Sequence, residues 1–197
     1  MMLATFLGKQ AAYPRGFFGQ FLMTRLLNRV NINMNRFALD RAELCSTDSL
    51  LDLGCGGGDL VHRALKQRGC DQVMGIDASH ASVKHCRRRM RRDIRAQKAH
   101  FEVASAAQIP SAQESFSCVT SSSTIYFFCD LAKVFLECRR VLKTRGKFVV
   151  CFNDAVWLRK QVFAKQGFRC FEVEEVEKIL RANGFGYVST EHRRDRL

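Results

Sequence analysis

The chain has 197 residues, of which 47% are hydrophobic and 26% are charged, and it contains only two prolines. This composition excludes a low-complexity chain and predicts one globular unit with enough mass for a three-layer core. The net charge is +13, because 32 lysines and arginines oppose 19 aspartates and glutamates. Such an excess favours either a nucleic-acid or membrane-surface partner or a solvated basic face.

The N-terminal part of the chain, from Tyr13 to about Leu44, predicts two helices with apolar faces. Its most apolar stretch, Gly16 to Leu27, contains two strongly polar residues and is too short to cross a bilayer. Residues 1–7 show neither the basic region nor the cleavage site of a secretory signal. We therefore expect a cytoplasmic protein.

The strongest motif is SLLDLGCGGGD, from Ser49 to Asp59. Its apolar start predicts a short buried strand that carries Asp52 near its end, and the glycines predict a tight turn into a helix. Glycine lets a ligand lie against bare backbone, and the first turn of the next helix offers unpaired N–H groups. The motif therefore predicts a cofactor-binding loop.

The spacing of the glycines narrows the choice of cofactor. The loop has the form G-x-G-x-G from Gly54 to Gly58, whereas a dinucleotide site has G-x-G-x-x-G and a P-loop ends in Lys and Ser or Thr. An acid at the position of Asp52 suits a cofactor that carries an ammonium group. A second predicted strand ends at Asp77, whose carboxylate can accept hydrogen bonds from both hydroxyls of a ribose.

Predicted strands and helices alternate beyond this loop, which is typical of a parallel sheet covered by helices on both faces. The clearest helix runs from Asp130 to Leu142, since its apolar residues follow the helical 3, 4, 7 spacing. The predicted strands are 50–54, 72–77, 99–104, 116–121, 147–152 and 185–191. The predicted helices are one after the loop that ends at about residue 68, an arginine-rich helix after the second strand, 130–142 and 173–183.

The densest basic run, KHCRRRMRRDIRAQK from Lys84 to Lys98, lies on that arginine-rich helix. Helical spacing turns the arginines toward solvent and predicts a buried stripe of Val83, Cys86, Met90 and Ile94. Arginines near the end of the helix also complement its C-terminus. The run is either a solvated face or a contact for RNA or anionic lipid, and the sequence leaves both open.

These motifs together resemble the class I S-adenosylmethionine-dependent methyltransferases, of the small-molecule type that includes enzymes of ubiquinone and menaquinone biosynthesis. The resemblance continues through FEVASAAQIPSAQESFSCVTSSSTIYFF (Phe101 to Phe128) and DLAKVFLECRRVLKTRGKFVVCF (Asp130 to Phe152). It implies an α/β fold, a three-layer Rossmann-like sandwich with a mostly parallel sheet of six or seven strands and helices on both faces. Residues 46–197 would form the methyltransferase domain. Residues 1–45 would form a helical lid, or else pack on the sheet.

The chain departs from the family at several positions. Ser105 and Ser117 stand where the family has Asp, and Thr144-Arg145-Gly146 stands where it has Pro-Gly-Gly. The sequence also stops after the sixth predicted strand, where the family continues into a hairpin and a seventh strand. Because proteins usually cover an unpaired edge strand, we expect residues 155–169 or a partner chain, such as a second copy in a homodimer, to cover it.

In an open parallel sheet the ligand lies over the carboxyl ends of the strands. The residues expected to bind S-adenosylmethionine there are Asp52, Leu53, Gly54, Cys55, Gly56, Asp77, Ala78, Ser105, Ala106, Ser121 and Ser122. Some acceptors need a general base, and the candidates at this edge are Tyr126, Asp154 and His192, besides His80. The catalytic residue itself stays undetermined.

Three absences bear on the acceptor. The chain has no Asn/Asp-Pro-Pro-aromatic motif for base-amine methylation, no Pro-Cys pair for pyrimidine methylation and no paired-glutamate loop for arginine methylation. A small-molecule acceptor is therefore favoured, and the main task is to hold nucleophile and methyl in line and exclude water. The alternatives are an RNA methyltransferase that uses the basic surface and a non-catalytic S-adenosylmethionine-binding protein.

The nine cysteines are scattered without a C-x-x-C pair, so we expect no metal.

Overall fold

The computed structural model describes residues 31–67, 70–160 and 169–193. In these ranges five strands form one parallel sheet in the order β3-β2-β1-β4-β5. The strands are β1 (Ser49–Leu53), β2 (Gln72–Asp77), β3 (Ala99–Val103), β4 (Phe116–Ser122) and β5 (Leu142–Cys151). The helices are α1 (Ile32–Ala42), α2 (Asp59–Gln67), α3 (His80–Arg89), α4 (Arg91–Arg95), α5 (Leu131–Val141), α6 (Ala155–Leu158) and α7 (Val173–Ala182), with a 3-10 turn at Ile125–Phe127.

Helices cover both faces of the sheet, and each face has its own apolar core. Leu50 packs with α1, α2 and α3, whose cluster includes Met90 and Phe101, whereas Leu51 packs with α5, whose cluster includes Phe135. Neighbouring residues separate in this way because side chains alternate between the faces of a strand. The predicted three-layer α/β architecture is therefore confirmed. Among the described helices, none is long and apolar enough to cross a membrane.

The number of strands differs from the predicted six or seven. Residues 185–191, the expected sixth strand, have no regular secondary structure and pair with no described strand. The segment instead leaves α7 on one face and reaches α1 on the other: Phe185 packs on Phe148 with ring centroids 5.4 Å apart, and Glu191 pairs with Arg41 at 2.9 Å. It therefore passes the outer edge of β5 through side-chain contacts, which supply no ladder of backbone hydrogen bonds. That residues 155–169 or a partner chain cover this edge of the sheet stays a prediction.

The arginine-rich helix is divided at Met90, where α3 ends and α4 begins. Met90 has φ −108° and ψ 29°, which lies outside the helical range. Val83, Cys86 and Met90 are buried as predicted, and Ile94 is half-buried. The break lets α4 turn while its apolar residue still reaches the core.

Two departures from the family pattern are accommodated near the amino ends of the strands. The hydroxyl of Ser117 donates to Oδ1 of Asp48 at 2.7 Å and accepts the N–H of Ser49 at 3.0 Å, so it ties the start of β1 to β4. Residues 143–146 form a bulge in β5, where the pairing with β4 shifts register. A β-carbon on Gly146 would lie 2.9 Å from Leu142, which explains why this position lacks a side chain.

Candidate cofactor site

The glycine loop begins where β1 ends, at the carboxyl edge of the sheet. Leu53, the last residue of β1, pairs with Ile76 of β2 on one side and with Ser121 of β4 on the other. The N–H groups of Gly54 and Cys55 then donate to the carbonyl of Ile76 at 2.8 and 3.0 Å. The neighbouring strand β2 therefore fixes the start of the loop through the carbonyl of Ile76.

Alternate glycines are required by the backbone of this turn. Gly54, Gly56 and Gly58 have φ angles of 66°, 51° and 70°. This left-handed region strains residues that carry a β-carbon but not glycine. The G-x-G-x-G spacing that the sequence shows is thus the spacing of the positive φ angles.

Asp77, the last residue of β2, holds the middle of the loop. Its Oδ2 accepts the N–H of Gly56 at 2.9 Å, and its Oδ1 accepts the N–H of Ser79 at 2.8 Å. A carboxylate offers about four acceptor positions, so Asp77 retains capacity for two ribose hydroxyls. Burial raises the pKa of Asp77, and the two backbone hydrogen bonds oppose that rise.

Asp52 lies under the loop, where only 3% of the residue is exposed. Its Oδ1 accepts the hydroxyl of Thr120 at 2.8 Å. Burial raises the pKa of Asp52 to about 7, against the effect of the Thr120 hydrogen bond and with a further rise from the charges of Asp77 and Asp59. A cation nearby would favour the ionised carboxylate. The predicted preference for an ammonium group therefore fits this position.

Thr124, which follows β4, closes one side of the loop. Its Oγ1 donates to the carbonyl of Leu53 at 3.1 Å, and its methyl group lies 2.0 Å from where a β-carbon on Gly54 would stand. Around Gly56 the space is open, because the nearest atom to an added β-carbon is 3.9 Å away. The open side is where a ligand can reach the backbone. The sequence placed Thr124 in the segment after the fourth predicted strand but gave it no individual role.

Helix α3 supports the loop from below. The Cys86 thiol donates to the carbonyl of Gly56 at 3.2 Å, and Nη1 of Arg89 donates to the carbonyl of Gly57 at 2.9 Å. The neighbouring Cys86 and burial raise the pKa of the Cys55 thiol. Arg89 is exposed, as predicted, and its guanidinium also holds the loop through Gly57.

The other predicted cofactor residues also lie at this edge. Ser121 is fully buried and donates to Oγ1 of Thr124 at 3.3 Å, and the buried Oγ of Ser122 has no hydrogen-bond partner in the described ranges. Ser105 is exposed after β3, and its Oγ accepts the N–H of Ala107 at 3.2 Å. The half-buried Ala106 follows it, and the exposed Ala78 follows Asp77. The fold thus brings the whole predicted set to the ends of neighbouring strands.

The candidate bases are less favourably placed. Tyr126 is 3% exposed, its hydroxyl accepts the N–H of Asn153, and burial raises its pKa further above the neutral range. Asp154 caps α6 by accepting the N–H of Trp157 at 2.8 Å. His80 begins α3 and is exposed beside Asp77.

His192 does not reach the site. Its neighbour Glu191 pairs with Arg41 at the end of α1, and the carbonyl of Arg41 accepts Nζ of Lys147 at 3.3 Å. Lys147 pairs with Cys118 in the amino-terminal half of β4, so this contact lies at the edge opposite the glycine loop. The sequence placed His192 with the site because residues 185–191 were expected to form a parallel strand.

Helix α1 begins at the loop edge of the sheet and ends at the opposite edge. Oδ1 of Asn31 accepts the hydroxyl of Ser123 at 3.2 Å, and Nδ2 of Asn35 donates to Oδ2 of Asp59 at 3.2 Å. The second predicted N-terminal helix therefore packs between the end of β4 and the start of α2. The first predicted helix lies outside the described residues.

In the described ranges, no group of three His, Cys, Asp or Glu side chains is arranged to hold a metal ion. Burial raises the pKa of Cys70 to about 11 and of Cys118 and Cys151 to about 12, so these thiols are protonated. Thiolates, not thiols, are the form that binds metals. That the protein uses no metal stays a prediction.

A family model described as a methyltransferase domain matches residues 45–190. An uncharacterized methyltransferase of Schizosaccharomyces pombe is 38% identical over 114 residues, which cover 55% of this chain and 41% of that protein. The demethylmenaquinone methyltransferase of Thermotoga maritima is 32% identical over 104 residues, or 52% of this chain and 42% of that protein. The chain thus spans about half the length of the curated relatives it matches.

Solved structures show the same fold. A methyltransferase solved with the Haloferax volcanii Trm112 activator superimposes with a TM-score of 0.73 at 21% identity, over 90% of this chain and 75% of that chain. The geranyl diphosphate C-methyltransferase of Streptomyces coelicolor, solved with S-adenosylhomocysteine, gives 0.68 at 22% identity, over 80% and 62%. The match to the family model covers most of the chain and includes the glycine loop with its two acids. The chain therefore belongs to the class I S-adenosylmethionine-dependent methyltransferases.

Proposed function

We propose that this chain transfers the methyl group of S-adenosylmethionine to a small-molecule acceptor. The observation that carries the proposal is the hydrogen bond from Gly56 to Asp77, which holds an open-sided glycine loop beside an acid suited to a ribose. Two relatives support the acceptor class, since their names specify demethylmenaquinone and geranyl diphosphate as what they methylate. The cofactor supplies an electrophilic methyl group on a positively charged sulfur.

The proposed cofactor contacts follow the strand ends. The backbone from Gly54 to Gly56 lies against the ligand, Asp77 accepts the ribose hydroxyls, and Asp52 attracts the ammonium group. Ser105 and Ala106 face the adenine, where a hydroxyl replaces the carboxylate of the family and weakens the hydrogen bond. The affinity for cofactor is therefore expected to be lower than in relatives that carry Asp at this position.

Catalysis is proposed to depend on positioning, without a protein general base. Support comes from three of the four candidates: Tyr126 is buried with a raised pKa, Asp154 caps a helix, and His192 lies at the opposite edge. Displacement at a sulfonium methyl needs alignment and exclusion of water, and both are tasks of the surrounding side chains. The acceptor is then one that is nucleophilic without strong deprotonation.

An apolar acceptor suits the side chains near this edge. Phe127 and Phe128 are half-buried after β4, and on α6 the exposed fractions are 58% for Val156 and 41% for Trp157. Large apolar groups grouped beside a polar cofactor loop are typical of small-molecule sites.

We also propose residues 1–45 as the lid, with α1 as its base. A cytoplasmic location is supported by the nine cysteines, all free thiols.

Calorimetric titration with S-adenosylmethionine and S-adenosylhomocysteine tests the cofactor site. We expect binding by the wild type, a loss of at least about tenfold in Asp77→Ala, corresponding to one charge-assisted hydrogen bond, and no change in Asp71→Ala. Asp71 is a matched control because it is exposed at the other end of the same strand. A folded wild type that binds neither compound would contradict the proposal.

The acceptor class needs a separate test. The protein is incubated with S-adenosylmethionine labelled in its methyl group and with a fractionated cell extract. Label that moves into the low-mass, solvent-extractable fraction supports an apolar small-molecule acceptor. Label that moves into RNA or protein would contradict it while leaving methyl transfer itself established.

A further inference from the structure

Helices α3 and α4 carry a basic surface that the proposed methyl transfer does not use. We define it as the arginine face, formed by Lys84, Arg88, Arg91, Arg92 and Arg95. All five side chains are exposed, and none forms an ion pair with a carboxylate in the described ranges. The face therefore presents five uncompensated positive charges within twelve residues of sequence.

The neighbouring charged residues are occupied elsewhere. Arg87 donates to the carbonyl of Phe101, and Arg89 donates to the carbonyl of Gly57. Asp93, the acid within the basic run, pairs with Lys66 at 2.8 Å. The arginine face consequently has no internal counter-charge, and like charges at this spacing on a helix repel one another. An external anion would relieve that repulsion.

A groove lies between the face and the outer strand β3. It has a volume of about 380 Å³ and is lined by Arg87, Arg91, Ile94, Arg95, His100 and Phe101. Arg87 is held rigidly in it, since Nε and Nη2 both donate to the carbonyl of Phe101 at 3.0 and 2.6 Å. The acid beside the groove is Glu102, whose Oε2 lies 3.3 Å from Nε2 of His100. Arg91 and Arg95 line the same groove without a carboxylate partner in the described ranges. Guanidinium groups bind the oxygens of a phosphate through two parallel hydrogen bonds, so these two arginines suit that anion.

The hydrogen-bond register of β3 shows that Arg87, which lines the groove, also blocks the free edge of the sheet. The carbonyl of Lys98 accepts the N–H of Val73, and the N–H of Ala104 donates to the carbonyl of Asp77, so the even-numbered residues of β3 face β2. The carbonyl of Phe101 therefore points outward, and Arg87 covers it. Addition of a peptide strand is disfavoured there, which leaves an anion as the suitable occupant.

A membrane surface fits this face less well. Membrane-binding helices insert large apolar side chains, but the apolar side of α3 is buried in the core. The exposed large hydrophobic residues of the described ranges are Leu136, Val156, Trp157 and Tyr187, none of which lies on α3 or α4. Proteins that bind single strands stack the bases on exposed aromatic side chains, and the face offers none of these either.

We propose that the arginine face and its groove bind the phosphodiester backbone of a nucleic-acid duplex without reading its sequence. The face lies on the exposed side of α3 and α4, whereas Cys86 on the buried side of α3 contacts the glycine loop. Binding there is independent of the cofactor site, and the inference goes beyond the proposed methyl transfer.

Fluorescence anisotropy with a labelled RNA duplex of mixed sequence, and with the DNA duplex of the same sequence, tests the proposal. Affinity should fall linearly with salt on logarithmic axes, and the double variant Arg91→Gln with Arg95→Gln should lower the slope by about two and weaken binding by about tenfold or more. The matched control, Lys133→Gln with Arg139→Gln on α5, removes the same charge from exposed positions elsewhere and should change affinity less than about twofold. Comparing the two duplexes shows which nucleic acid is preferred.

Calorimetry with S-adenosylhomocysteine accompanies each variant and keeps the two proposals distinguishable. Unchanged cofactor affinity together with weakened duplex binding supports the arginine face. If the first double variant does not fold, Arg88→Gln with Arg92→Gln on the same face is used instead. The proposal is overturned if the wild type binds neither duplex at low salt, if the control weakens binding equally, or if vesicles containing phosphatidylserine bind and duplexes do not.

Discussion

The methyl group of Thr124 occupies the space that a β-carbon on Gly54 would need, with only 2.0 Å between the two positions. A side chain at position 54 would therefore clash with Thr124 at the start of the cofactor loop, although the two residues are distant in sequence. The same loop has open space at Gly56, where an added β-carbon would find its nearest neighbour at 3.9 Å. Equivalent substitutions at the two glycines should therefore have different effects.

Gly54→Ala should destabilise the fold by about 3 kcal/mol, because a left-handed φ and a steric clash both act there. Gly56→Ala should cost only about 1 kcal/mol, from φ alone, yet it should abolish binding of S-adenosylhomocysteine by filling the open side of the loop. Urea unfolding and calorimetry measure the two effects.

A second-site change provides the control. Thr124→Ser removes the clashing methyl group and keeps the hydroxyl that donates to Leu53. We expect Gly54→Ala with Thr124→Ser to regain part of the lost stability. A double variant as unstable as the sum of the two single variants would show that the clash is not the cause.

Asp52 should make stability fall as pH rises. Its pKa is raised from 3.8 to about 7 in the fold, so between about pH 4 and pH 7 the unfolded carboxyl is ionised while the folded one is protonated. The unfolded state binds fewer protons in this window, and the free energy of unfolding decreases through it, by up to about 4 kcal/mol for three pKa units. Above pH 7 this contribution is constant.

Asp52→Asn tests that prediction, since the amide oxygen still accepts the Thr120 hydroxyl and does not titrate. The free energy of unfolding, measured with urea at pH 5 and pH 8, should differ less in the variant than in the wild type. Equal differences would show that other groups set the pH dependence.

The same carboxyl should link cofactor binding to pH. The ammonium group of S-adenosylhomocysteine favours an ionised Asp52, so affinity should rise several-fold from pH 6 to pH 8, by at most tenfold for each pH unit. Asp52→Asn should bind more weakly at pH 8 and show a flat profile over this range. Calorimetric titration at pH 6, 7 and 8 measures both profiles, and a falling wild-type profile would contradict the prediction.

Ser117 should not tolerate the aspartate that the family carries at this position. Its hydroxyl donates to Asp48 at 2.7 Å, and a second carboxylate there would face the first. Ser117→Asp should destabilise the protein by more than about 1 kcal/mol at pH 7, whereas Ser117→Ala loses one hydrogen bond and should cost about 1 kcal/mol. Adding Asp48→Asn to Ser117→Asp should restore stability, and urea unfolding of the three variants would show whether repulsion is the cause.

The sequence by itself determined the features that depend on local pattern. Apolar alternation and glycine spacing specify β1, the loop and its positive φ angles, and helical spacing specifies α5 from Leu131 to Val141. Asp52 and Asp77 follow from the same logic, because parallel strands end at one edge. These features need only a few neighbouring residues to be defined.

The tertiary structure alone decided what depends on contacts between distant segments. Thr124 on the loop, the turn of Arg89 toward Gly57 and the failure of residues 185–191 to form a strand arise from packing that no local pattern records. His192 was misplaced for that reason, since its position depended on a strand that did not form. Local propensity sets which elements exist, and the shape of the space between them sets which side chains meet.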